Sequence, residues 1–168
     1  MSLSPGEPYA VAKGYVQSAF AMMSAPQRLQ LPDDTTFFLA FHMLCGFATE
    51  LYLKAFLAHK GFTEVQLRQP RIRHDLVRLR DMCGSEGLYD TGADTLVELL
   101  ASKHKSFEYR YMKNASEFRT MHLWAIFSAF SSLDRAVDTA IGASAAKGKV
   151  AGGRWKFPGD VPWRFPKQ

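Results

Sequence analysis

The run from Thr35 to Lys60 restricts the fold more than any other part of the sequence. Asp33 or Asp34 stands before it, where a carboxylate can cap exposed amides, and Gly61 follows it, where a left-handed residue ends a helix. At about 100° per residue, Phe37, Phe41, Leu44, Ala48, Leu51 and Ala55 fall on one stripe, flanked by Phe38, Cys45, Tyr52 and Phe56. The opposite side is not plainly polar, because Met43, Phe47 and Leu57 lie there beside Glu50 and Lys54. A helix apolar on two sides needs two apolar neighbours, and a second subunit is one way to supply the outer one.

The remaining apolar residues also recur at helical spacing. Pro8 to Ser24 predicts a first helix that Pro26 ends. A basic, proline-containing linker from about Phe62 to Arg73 leads into a helix that starts at His74 or Asp75 and stops near Gly84 or Gly87. Thr91 to about His104 predicts a fourth helix, and the aromatic, charged segment from Lys105 to Met112 has no clear local structure. Asn114 or Ser116 can cap a last helix reaching about Ala146. On it His122 joins the apolar stripe as a hydrogen-bonded core residue, while Trp124 and Phe127 point elsewhere and ask for a second contact surface. Val and Ile are sparse, so an all-β fold is disfavoured. A chain of 168 residues with 47% apolar content buries one core. The expectation is an all-α protein, an antiparallel bundle of about five helices over residues 1–146 with an extended basic tail over 147–168.

The net charge of +5 lies wholly in that tail, where residues 147–168 hold six Lys/Arg and one Asp. Its aromatic residues Trp155, Phe157, Trp163 and Phe165 alternate with Arg154, Lys156, Arg164 and Lys167. Such a segment can stack on unpaired bases while meeting phosphates, or strap onto the exposed Trp124 and Phe127 of the bundle or onto a partner. Within the neutral body, Arg68, Arg71, Arg73, Arg78 and Arg80 make one local basic cluster, with Asp75 its only acid. Cys45 and Cys83 stand 38 positions apart with no C-x-x-C motif, which argues against a disulfide scaffold and a structural zinc site. No signal-peptide pattern opens the chain, and its uncharged apolar stretches fall short of the roughly 20 residues of a membrane span, so a cytoplasmic protein is expected.

Three groupings carry chemistry. Glu50 and Lys54 are four apart with the acid first, the favourable order for a helical ion pair. They act either as a surface pair or as part of a polar cluster with Arg110 and Tyr111 that orients a phosphate. His74 and Asp75 stand at a helix start, where Asp75 suits the positive end of the dipole and His74 is either a cap or a general acid–base group. His42, His59 and His104 form no i, i+4 pair, so no metal and no other cofactor is expected. Gly148, Gly152 and Gly153 form no phosphate loop, since no Gly-Lys-Ser/Thr follows.

The stretches HMLCGFATELYLKAFLAHKG, RIRHDLVRLRDMCGSEGL and LVELLASKHKSFEYRY follow one another in an order that resembles the HEPN superfamily (higher eukaryotes and prokaryotes nucleotide-binding). Its Ala-x-Glu-x-x-x-Lys helix matches Ala48, Glu50 and Lys54. Its His-Asp-Leu helix entry matches His74, Asp75 and Leu76, and its Arg-Tyr pair matches Arg110 and Tyr111. The resemblance covers roughly Thr36 to Met112. It implies a helical bundle, homodimerisation, an association with RNA or a nucleotide, and in some relatives a nucleotidyltransferase-like partner protein. Many relatives are metal-independent ribonucleases of the toxin or defence kind, with Arg and His separated by four to six residues late in the bundle. This chain departs from that spacing, because eleven residues separate Arg110 from His122. The resemblance therefore implies a dimeric module binding RNA, a nucleotide or a partner protein through the Arg68–Arg80 region and the tail, without the usual ribonuclease site. Two alternatives stand beside it: a ribonuclease using His74 with Arg68, Arg71 or Arg73 in a displaced site, and a purely structural dimerisation module.

Overall fold

The computed structural model describes residues 4–111, 117–152 and 162–166, and among them it has seven α-helices, one short 3-10 turn and no strand. The helices are α1 (Gly6–Ser24), α2 (Pro26–Leu29), α3 (Thr35–His59), α4 (Glu64–Leu67), α5 (Leu76–Ser85), α6 (Thr91–Lys105) and α7 (Leu123–Ile141). Local chemistry sets most boundaries. Ala25 is held extended before Pro26, which ends α1. Gly61 takes φ +94° after α3, and Asp75 and Asp90 cap α5 and α6 by accepting from the backbone N–H of Arg78 and Ala93. The basic linker contains the short helix α4, started by a capping box in which Thr63 and Gln66 exchange side-chain and backbone hydrogen bonds.

Helix α3 is the axis of the bundle and packs against α1, α5, α6 and α7. On one side Phe41 and Tyr52 meet Phe20 and Tyr9 of α1 edge-on, at ring separations of 5.3 and 5.8 Å. On the other, Leu53 and Leu57 are fully buried and the Leu53 carbonyl accepts from the Cys83 thiol of α5. Both apolar sides of the helix therefore find neighbours within the chain. With 25 residues and only Glu50 and Lys54 charged, α3 is long and apolar enough to cross a membrane, although more than half of its apolar window is buried in the bundle. Cys45 and Cys83 are buried free thiols.

The last helix differs from expectation. Residues 117–122 are not helical, α7 starts at Leu123, and the expected caps Asn114 and Ser116 lie outside the described residues. His122 is not a core residue but the exposed N-cap, its Nδ1 accepting from Trp124 N. The reason lies in what this segment binds. Thr120 is hydrogen-bonded to His42, 2.9 Å away, and the Met121 carbonyl accepts from the Trp163 indole at 2.9 Å, so their backbone is drawn away from a helical path. Phe127 does not point outward: it is buried edge-on against Phe20, and Trp124 stacks on it.

Residues 162–166 dock at the start of α3. The buried Arg28 makes a two-pronged ion pair with Asp34, and Arg164 adds its own guanidinium and a pair of backbone hydrogen bonds to the same carboxylate residue. Trp163 packs on Phe38, Phe41 and His42, not on Trp124 and Phe127. Arg154, Trp155, Lys156, Phe157 and Lys167 lie outside the described residues.

His42 is buried between these parts. Its Nδ1 lies 2.8 Å from the Phe38 carbonyl, which can only accept, so Nδ1 carries the proton and Nε2 accepts from Thr120. Burial pushes its pKa down to about 4, even though the Phe38 carbonyl favours the charged form. The folded ring thus binds fewer protons than the unfolded one, so its contribution is complete above pH 6.5 and is lost as the pH falls toward about 4. Denaturation followed across that range should show the protein losing about 3 kcal/mol relative to a His42→Gln variant. Parallel pH profiles for the two proteins would remove His42 as the cause.

Candidate functional site

Three separate elements bring polar side chains to one point in the interior. Gly46, Glu50 and Lys54 recur every fourth residue along one face of α3. His74 sits immediately before the Asp75 cap of α5, and His104 lies in the last turn of α6. Glu50 Oε2 faces His104 Nε2 at 2.7 Å and His74 Nδ1 at 3.1 Å, while Oε1 takes Lys54 Nζ at 2.6 Å. A carboxylate oxygen can only accept, so both ring nitrogens donate to it. The Lys54 ammonium also donates to the Arg73 carbonyl at 2.8 Å, which ties the α4–α5 linker to α3.

Glu50 and His104 are almost fully buried, whereas the His74 side chain is 27% exposed. Burial opposes ionisation of Glu50, but the His104 hydrogen bond and the Lys54 charge outweigh it and hold its pKa at about 2. The site therefore contains a permanent anion surrounded by three nitrogen groups. Its walls are aromatic. Phe47 meets the His104 ring edge-on at 5.3 Å, and Phe107 meets His74 at 5.0 Å. Phe107 has φ +57°, an uncommon conformation for a non-glycine residue, in the turn after α6. The Arg110 guanidinium lies over both phenyl rings, 5.1 Å from Phe47 and 4.7 Å from Phe107.

The other expected residues are distributed around this point. Glu50, Lys54 and His74 share the cluster, and Arg110 reaches it through the two phenylalanines. Arg68 is exposed and paired with Glu64, Arg71 is exposed and bonded to Gln69, and Arg73 contributes its backbone carbonyl. Asp75 caps α5 and pairs with Lys105, and Tyr111 is 68% exposed. Arg80 pairs with Asp81 and Asp94.

His104 is the participant that sequence reasoning missed. Its signal was its place on the apolar face of α6, after Val97 and Leu100, where a polar ring requires a buried partner. Gly46 is the matching sign on α3. A Cβ added there would overlap the His104 ring, so only glycine leaves room for it one turn before Glu50.

Comparison of the chain with protein-family models, curated proteins and solved structures gives no match.

Gly46→Ala should displace the His104 ring and cost about 1–3 kcal/mol, the usual range for overpacking. Chemical denaturation measures the loss, and the His104 imidazole resonances should shift well beyond those of His59 and His122. An unchanged stability would mean that the ring can move aside without consequence.

Proposed function

We propose that this protein is a HEPN-like module that acts as a homodimer and binds a phosphate-bearing ligand, RNA or a nucleotide, on the face formed by the α4–α5 linker and the start of α5. What supports the reading is that Glu50, Lys54 and His74, the residues of two separate motifs, are in direct hydrogen-bonding contact beneath that face. Arg68, Arg71, Arg73 and Arg78 are exposed along this segment, and among the described residues no salt bridge joins a carboxylate to Arg71, Arg73 or Arg78, although Arg78 lines a groove that also holds Asp81, Asp94 and Glu98. Exposed guanidiniums without a carboxylate partner attract phosphate, and the buried cluster holds the linker backbone at Arg73. The Arg110–Phe107 stack at the rim adds a planar surface for a base.

Single-stranded RNA binding measured across a salt series in the presence of a chelator tests the proposal. Affinity should fall as salt rises, and replacing Arg71, Arg73 and Arg78 by Ala should reduce the slope by about 0.7 for each phosphate contact removed. A flat salt dependence, or a slope unchanged in the triple variant, would overturn it. Cleavage of RNA in the same chelator, lost in His74→Ala, would move the assignment to the ribonuclease reading. Light scattering at the assay concentration should show a dimer, and a monomer there would contradict the oligomeric part.

A further inference from the structure

We propose that Glu50, His74 and His104 form a binding site for a divalent transition-metal ion of the zinc class. This goes beyond the RNA reading and departs from the expectation of no metal, which rested on the lack of closely spaced histidines. The donors come from three elements: Glu50 Oε2, His74 Nδ1 and His104 Nε2 lie within 4.8 Å of one another. Two imidazoles and one carboxylate form a known zinc-binding set of three protein ligands with an open fourth position. Two nitrogen donors also disfavour Mg²⁺ and Ca²⁺, which take oxygen.

The three donors stand near the spacing that an ion requires. Zinc–ligand bonds of about 2.0–2.1 Å at tetrahedral angles put neighbouring ligand atoms about 3.3 Å apart. The present separations from Glu50 Oε2 are 2.7 Å to His104 and 3.1 Å to His74, and all three donor atoms lie within 4.8 Å of one another, so admitting an ion takes side-chain shifts of no more than about 1.5 Å. The two N–H groups that now share Oε2 would give way to the cation, each imidazole presenting its lone pair in place of its proton. Binding would therefore be coupled to proton movement.

The surroundings are those of a prepared site. Lys54 holds the second Glu50 oxygen at 2.6 Å and is itself fixed by the Arg73 carbonyl at 2.8 Å, which leaves Oε2, the oxygen that faces both imidazoles, to act as a one-oxygen ligand. Gly46 keeps the space that His104 occupies. Glu50 and His104 are buried, while the partly exposed His74 offers a path for the ion to enter.

Calorimetric titration of the metal-depleted full chain with Zn²⁺, without RNA, tests this, supported by Co²⁺ as a visible-absorbing probe. The expected result is saturable binding of one ion per chain with the strong visible bands of low-symmetry, four-coordinate cobalt. Affinity should fall at least about tenfold in His74→Ala and in Glu50→Gln, with unchanged helical circular dichroism, and stay the same in His59→Ala and His122→Ala. His74 is at the surface end of the cluster, so its variant keeps the test valid if the buried substitutions unfold the chain. Absence of one-to-one binding, or binding indifferent to His74→Ala, would overturn the site. Since RNA binding is measured in chelator and metal binding without RNA, either proposal can fail alone.

Discussion

The arrangement around α3 depends on one buried carboxylate. Glu50 is an anion in an interior where an unpaired charge would cost several kcal/mol, and it is tolerated because His104, His74 and Lys54 surround it. Those three partners belong to the end of α6, the entry to α5 and α3 itself. The interaction therefore ties three helices at one directional contact, which apolar packing, being non-directional, does not supply. It also anchors the α4–α5 linker through the Lys54 bond to the Arg73 carbonyl, and so sets where the exposed arginines stand.

A second buried ion pair does similar work at the other end of α3. Arg28 and Asp34 are almost inaccessible to solvent, and Arg164 joins them from 130 residues away, with Trp163 covering Phe38, Phe41 and His42. The two polar centres bracket a core of large side chains on α3, including Phe41, Tyr52, Leu53 and Leu57. The long helix is thus pinned at its start by Arg28 and Arg164 and toward its end by His74 and His104.

Legibility in the sequence followed the range of the interactions. Gly61 and Asp75 act on backbone groups within a few residues, and the boundaries they mark could be placed from the sequence. The apolar spacing of α3 showed that two sides needed cover, but spacing alone carries no information on whether the cover comes from the same chain. The start of α7 was misplaced because the cause is distant: Thr120 binds His42, 78 positions earlier, and Met121 receives Trp163, 42 positions later. The same limit hid half the site. Glu50 and Lys54 are visible as an i, i+4 pair, whereas the Glu50–His104 bond spans 54 residues and only the fold brings it together.

The account stands or falls on whether Glu50 and His104 act as a unit. A double-mutant cycle with Glu50→Gln, His104→Gln and the pair, read by chemical denaturation near neutral pH, measures this directly. A coupling free energy of about 1–3 kcal/mol is the predicted result, as for groups in one buried hydrogen-bonded network. Additive losses, with coupling inside about 0.3–0.5 kcal/mol, would contradict the account, because the buried carboxylate would then not be what assembles the three helices.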